Sequence, residues 1–366
     1  MSTRPYVMPV EQTRWNAPLG GDFVFNWEYD DGRDRLLALY EKGKNLQWNA
    51  QSRIDWSLPV DFDNPLRAAD MYNPIFATPM WAKMSPAQQA ETRRHMVAWQ
   101  FSQFLHGEQG ALLCAAKIVQ TVPDLDSKYY AATQVMDEAR HVEVYARYLN
   151  DKLGLSYPIN PDLKILLEQT LSDARWDFTY LGMQIMIEGL ALAAFGMIRD
   201  FAQDPLAGSL NAYVMQDEAR HVAFGRFALR DFYPQLTDAE RAEREEFCVD
   251  ACYLMRDRFL AQEVWRNLGL GEEAVEAVKT SLSMQEFQKF LFSRIVPALR
   301  EIGLWGPKVQ KAFQDMGVMG YAAVDLDSLS ASDEAKALEF DRARAKADAG
   351  IATAISAAIT TGEDRG

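Results

Sequence analysis

Apolar positions along this chain recur with the three-to-four-residue spacing of helices, and runs that alternate apolar and polar are scarce. The pattern predicts helices over 34–51, 86–120, 127–153, 162–170, 176–202 and 206–232. Further helices are predicted over 237–267 and 272–302, a short one from Pro307 to about Gly317, and an alanine-rich one over 330–361. Residues 1–33 read as irregular, and Pro59, Pro65, Pro74 and Pro79 punctuate a stretch that should wrap the rest. Ser85-Pro86 has the form of a capped helix start. The expected fold is all-α. It divides into an arm with a short helix (1–84), a helical-bundle domain with flanking helices (85–320), and a C-terminal helix with its tail (321–366).

One segment departs from ordinary amphipathic patterning. Residues 181–198 are apolar on every side, with Glu188 near the centre. Its length would suit a membrane span. The buried glutamate instead suggests a core helix in which the carboxylate binds something, because an unpaired charge there would be very costly.

The sequence around that glutamate repeats. Asp-Glu-Ala-Arg-His occurs at 137–141 and again at 217–221. Glu108 precedes Glu138 by 30 residues, Glu188 precedes Glu218 by 30, and the second set follows the first by 80. Glu-x-x-His puts both side chains on one helical face. The upstream glutamate reaches the same site only if its helix folds back at the midpoint. The midpoints fall at Pro123 and just before Asp204-Pro205, where proline should force a turn. Each arm then has about 14 residues, roughly 21 Å of helix. Two such hairpins supply four glutamates and two histidines to a bundle core, the set that holds two metal ions. Glu108, Glu138, His141, Glu188, Glu218 and His221 are therefore the candidate ligands. Oxygen outnumbers nitrogen among them, which suits iron or manganese better than zinc.

Asp137 and Asp217 should orient the histidines in crossed fashion, Asp217 on His141 and Asp137 on His221, with Arg140 and Arg220 neutralising them. Ala111, Leu112, Leu192, Gly196 and Val214 fall on ligand-side faces and predict a modest apolar cavity. His95, 13 residues before Glu108, lies too far along the helix to bind, and His106, two residues before Glu108, points to a different face.

Bulk properties narrow the partners. The chain has 366 residues, 48% of them hydrophobic, enough for a large core. A net charge of −14 with no basic stripe excludes nucleic acid and anionic membrane surfaces as natural partners. Three cysteines make no disulfide framework and suit a reducing cytoplasm. The N-terminal residues lack the apolar run of a signal peptide. No nucleotide or second cofactor motif stands out, so reducing electrons should come from another protein or a small reductant.

The duplicated Asp-Glu-x-Arg-His with upstream glutamates resembles the ferritin-like di-iron carboxylate superfamily. Within it, the chain is similar to the hydroxylase α-subunits of bacterial multicomponent monooxygenases and to the small subunit of class I ribonucleotide reductase, over roughly residues 42–232. The resemblance implies a ferritin-like four-helix bundle, two irons (or manganese with iron), O2 activation and a small organic substrate. It also implies an external ferredoxin or reductase and a homodimer. Monooxygenation by C-hydroxylation or N-oxygenation is the leading expectation; a radical-generating subunit or a fatty-acyl desaturase is the alternative. Tyr145 stands where the reductase subunit carries its radical tyrosine, and Trp48 where it carries an electron-transfer tryptophan, implying a relay Trp48–Asp217–His141. Two departures stand against the reductase and the hydroxylases in turn: no aromatic residue follows Phe340, and Leu192 replaces the monooxygenases' usual threonine. Arylamine N-oxygenases of the superfamily carry a further histidine ligand seven residues before the last; here that position is Val214.

Overall fold

The computed structural model describes residues 16, 18–26, 29 and 32–363, the side chains at 348 and 350–363 excepted. The expectations for residues 1–15 and 364–366 lie outside the described residues. No strand occurs among the described residues, and the longer helices are numbered α1 to α7.

Four helices make the core. Ser85 and Gln88 form a reciprocal cap that starts α2, Pro86–Thr121. The chain turns at Val122 and Pro123, and Asp124 caps α3, Leu125–Arg147. The second hairpin repeats the device: α4 spans Trp176–Phe201, and Asp204 caps α5, Pro205–Phe232. Both turns fall at the midpoints between the repeated glutamates. α2 packs along α3, α4 along α5, and α3 meets α5 across the centre.

α4 is the apolar helix, long enough to cross a membrane by composition, and it is 89% buried inside the protein. Its middle, Leu181–Ile187, is wound as a wider π-type helix before α-geometry resumes at Glu188. π-turns of this kind often occur beside functional residues.

The flanking elements differ from the sequence expectation in instructive ways. The helix predicted over 34–51 is two: α1, Asp34–Asn45, then Ala50–Arg53, because Asn49 breaks the run and caps the second piece. The helix predicted over 237–267 is also broken. α6 spans Asp238–Asp257, Arg258–Leu260 tightens into a 3-10 turn, and Ala261 takes a left-handed φ of 50° before Gln262–Asn267. The segment 272–302 divides into three helices, one starting at the Ser281 cap. α7, Leu326–Glu363, packs on α5, while α1 lies across α3 and α5 and brings Gln47 and Trp48 to the bundle.

Candidate dinuclear metal centre

The six predicted ligands converge. Ligand atoms of Glu108, Glu138, His141 and Glu218 lie within 4.8 Å of one another, as do those of Glu138, Glu188, Glu218 and His221. Glu138 and Glu218 belong to both groups, so the arrangement is two positions with two shared carboxylates and a terminal Glu–His pair each. His141 Nδ1 sits 3.0 Å from Glu218 and 3.2 Å from Glu108; His221 Nδ1 sits 3.0 Å from Glu138. The rings are 5.9 Å apart between centroids. All six residues are buried.

A site of this kind is electrostatically unstable without cations. Burial first, then the neighbouring charge of Glu218, holds the Glu108 and Glu188 carboxyls well above the usual range. Burial also pushes Glu138 up, but His221 and His141 outweigh it and hold it below the usual range. Both imidazoles are raised: burial opposes their charge, and the surrounding carboxylates overcome it. Glu138 Oε2, Glu188 Oε2, both oxygens of Glu218 and His221 Nδ1 have no hydrogen-bond partner. Unsatisfied buried acceptors converging on one small volume fit bound metal ions.

The outer ring matches the crossed pairing. Asp217 accepts from His141 Nε2 at 3.1 Å, and Asp137 from His221 Nε2 at 3.2 Å. Each histidine thereby turns Nδ1 inward, a tautomer and orientation that suit a ligand. Arg140 donates to Asp137 and, at 2.8 Å, to Asp217; Arg220 donates to Asp217 at 2.5 Å and to Asp137 at 3.4 Å. Burial raises the Asp217 carboxyl, yet Arg220, the His141 hydrogen bond and Arg140 hold it well below the usual range. Trp48 Nε1 donates to Asp217 at 2.8 Å, with Arg140 over its indole at 4.6 Å. Trp48, Asp217 and His141 thus form one hydrogen-bonded chain.

Tyr145 is fully buried, packed among Phe101, Phe104 and Phe195, and its hydroxyl donates to Asn211 at 3.1 Å. His95 and His106 face Tyr157 instead of the cluster.

Sequence reasoning missed Gln134. Its amide donates to Glu138 at 3.0 Å and to Glu188 at 2.8 Å, and its oxygen accepts from Gln184 at 3.3 Å. The signal was available, since Gln134 lies one turn before Glu138 on the ligand face.

The predicted cavity is smaller and differently lined. A volume of about 20 Å³ adjoins Glu108, Glu188 and Glu218, with Ala111, Phe104 and Phe195 among its walls. Of the five expected lining residues only Ala111 is there. Ala191 replaces Leu192, the position one residue earlier on α4, a helix whose register changes at the π-type segment. Gly196 turns to Met215, whose Cε lies 3.3 Å from where a Cβ would be. Leu112 and Val214 are also outside the lining.

Residues 30–303 match the family model described as p-aminobenzoate N-oxygenase AurF. The chain belongs to this family. It is an oxidoreductase of the O2-activating dimetal class. The AurF-family match covers both hairpins and the arm that carries Trp48. The six-residue cluster lies wholly within the matched residues. Among solved structures, a mutant of R2-like ligand-binding oxidase with an anaerobically reconstituted Mn/Fe cofactor is similar at 17% identity and a TM-score of 0.42. It covers 77% of this chain and 96% of its own. A second mutant of that oxidase, aerobically reconstituted, gives 16% identity and 0.44 over the same shares. No curated protein matches the chain.

Proposed function

We propose that the chain is an oxygenase that inserts oxygen into a small organic amine, with C-hydroxylation as the related alternative. The observation that carries this reading is the buried pair of half-sites sharing Glu138 and Glu218 beside a cavity. Glu108 and His141 would hold one ion, and Glu188 and His221 the other. Two iron ions, or manganese with iron, would supply O2 activation when bound. The residues around them have separate tasks. Asp217 and Asp137 fix the imidazoles, Arg140 and Arg220 balance the aspartates, and Phe104, Phe195 and Met183 exclude water from the cavity. Trp48 offers a hydrogen-bonded path through Asp217 to His141 for electrons from an external ferredoxin or reductase. The acidic surface suits a basic donor, and three unpaired buried cysteines suit the cytoplasm. A homodimer completes this reading, and sedimentation would test it.

The test is incubation of the metal-loaded protein with a reductant, 18O2 and an arylamine such as p-aminobenzoate. Mass-spectrometric detection of one labelled oxygen on nitrogen supports the reading; no labelled product across a panel of arylamines counts against it. Tyr145 keeps a second reading in play, radical storage, because its hydroxyl is shielded from water by three phenylalanine rings. A lasting tyrosyl EPR signal that Tyr145→Phe removes would favour that reading. Full substrate turnover by Tyr145→Phe would end it.

A further inference from the structure

Tyr130, Tyr145 and Tyr213 stand around the cluster, and of these three hydroxyls one faces a base. The Tyr130 ring lies 6.5 Å from the His221 ring, and its buried hydroxyl has no hydrogen-bond partner. Tyr145 donates to the side-chain amide of Asn211, which is no proton acceptor. Tyr213, on α5, donates to the Asp341 carboxylate of α7. Its buried ring lies 5.7 Å from the Trp48 indole, the outer end of the chain through Asp217 to His141.

The carboxylate is held ready. Arg53 grips both oxygens of Asp341 at 2.8 and 3.2 Å and donates to Gln216, the neighbour of Asp217, at 3.0 Å. Burial raises the Asp341 carboxyl, but Arg53 and the Tyr213 hydrogen bond outweigh it, so the group is ionised and able to take a proton. Burial first, then Asp341, pushes the Tyr213 phenol up to about 12, so it keeps its proton until it is oxidised. Arginines bias the direction. Arg140 lies 4.6 Å and Arg53 5.5 Å from the Trp48 ring, and Arg53 lies 4.0 Å from that of Tyr213. A positive charge on either ring is repelled by these guanidiniums. Oxidised Trp48 can pass its proton only to Asp217, which already answers Arg140 and Arg220. Tyr213 stays neutral on oxidation, because its proton leaves to Asp341. Oxidation that reaches Trp48 therefore moves on to Tyr213.

We propose that Tyr213 is a redox relay residue that drains oxidising equivalents from the cluster when O2 is activated with no substrate present, and so protects the ligands. The proposal rests on the oxygenase reading, in which the O2-activating centre is the oxidant. Tyr213 loses one electron through Trp48, Asp217 and His141 to that centre, and its phenolic proton passes to Asp341, leaving a neutral tyrosyl. A one-electron reductant in solution, such as ascorbate, returns the electron, and the proton comes back from Asp341, whose side chain is 36% exposed.

The experiment mixes anaerobically reduced, metal-loaded protein with O2 and no organic substrate, and follows freeze-quenched samples by EPR. It compares wild type, Tyr213→Phe, Tyr145→Phe and Asp341→Asn. Metal content, Tm and O2 consumption are read on the same samples. Wild type should show a transient tyrosyl signal that ascorbate quenches. Tyr213→Phe should lose the signal at unchanged metal content and Tm, and should accumulate oxidised Trp48, read by mass spectrometry. Tyr145→Phe should keep the signal, and Asp341→Asn should form it at least about tenfold more slowly. The proposal is overturned by a wild type that consumes O2 without a tyrosyl signal, by a signal that survives Tyr213→Phe, or by an Asp341→Asn protein that forms it at the wild-type rate. Loss of metal or a clear fall in Tm for Tyr213→Phe assigns the residue to the fold and overturns it too. Each of these results leaves the oxygenase reading standing while O2 is consumed. A protein with two metals that consumes no O2 removes that reading and this proposal with it.

Discussion

The two hairpins are repeats in sequence and unlike in surroundings. At matching positions they carry Glu108 and Glu188, Asp137 and Asp217, Glu138 and Glu218, Arg140 and Arg220, His141 and His221. One turn to either side the match ends. Gln134 corresponds to Val214, Phe104 to Gln184, and Tyr145 to Gly225. The Glu188–His221 position consequently has an amide pair against it, Gln134 backed by Gln184. Near the Glu108–His141 position lies an aromatic group, Tyr145 on Phe104. Gly225 explains part of the exchange, since a Cβ there would come within 2.6 Å of the Gln184 Cβ. The outer hydrogen bonds differ too: Asp217 receives the Trp48 indole, and Asp137 receives the Gln47 amide at 2.7 Å. Duplication accounts for the matched carboxylates and imidazoles, and divergence at neighbouring positions gives the two half-sites unlike surroundings. The Glu108–His141 half lies near Tyr145 and is hydrogen-bonded through Asp217 to Trp48.

The comparison can be broken most severely at the shared carboxylates. Glu218→Ala should abolish tight binding at both positions, a loss beyond about 100-fold in affinity, whereas Glu108→Ala or Glu188→Ala should spare one ion. Equal loss from all three, measured by metal analysis, would mean the positions are not separable. Asp137→Asn and Asp217→Asn should each weaken binding by about 10–100-fold, because each frees one histidine. A much larger effect on one side would show that the repeat symmetry does not extend to the outer ring.

Acidity separates the metal-free from the loaded protein. Glu108 and Glu188 bind protons more tightly folded than unfolded, so metal-free stability falls as pH rises above 4.5, their unfolded value. His141 and His221, also raised, add stability that is fully present below 6.5 and lost as pH climbs through their folded values. Tm of the metal-free protein should therefore decline between pH 5 and 8, and bound metal should flatten that slope. A metal-free Tm that rises over this range would contradict the assignment of those shifts.

Smaller changes sharpen the asymmetry. Gly225→Ala should cost about 1–3 kcal/mol by pressing on Gln184, read by denaturant unfolding, while leaving the Tyr145 side unaltered. Trp48→Phe removes one hydrogen bond to Asp217 and should cost only about 1 kcal/mol. It should slow re-reduction of the loaded protein far more than it lowers Tm. Unchanged re-reduction would free Trp48 of an electron-transfer role.

Much of this could be read from the sequence because the ligands obey simple arithmetic. The 30-residue interval and the prolines at its midpoint define a hairpin whatever the surroundings. The crossed aspartate–histidine pairing followed from the same repeat. What stayed hidden depends on backbone geometry with no residue marker. Nothing in Leu181–Ile187 announces a π-type helix, yet its register change accompanies the placing of Ala191, not Leu192, in the cavity. Ala261 in a left-handed conformation breaks a helix where neither glycine nor proline stands, and the break puts Arg258 beside the cluster. Gln134 was hidden differently. A lone glutamine on a helix is unremarkable until its position is compared with Val214, eighty residues on.

The central claim is that this buried cluster holds two metal ions in unlike positions. Anaerobic titration of metal-free protein with Fe(II), followed by elemental analysis and repeated on Glu108→Ala and Glu188→Ala, tests it directly. The account predicts two irons per chain in wild type and one in each variant. The two variants should differ in spectroscopic signature because the remaining ion has different neighbours. Uptake of fewer than two by wild type, or identical signatures from the two variants, would contradict it.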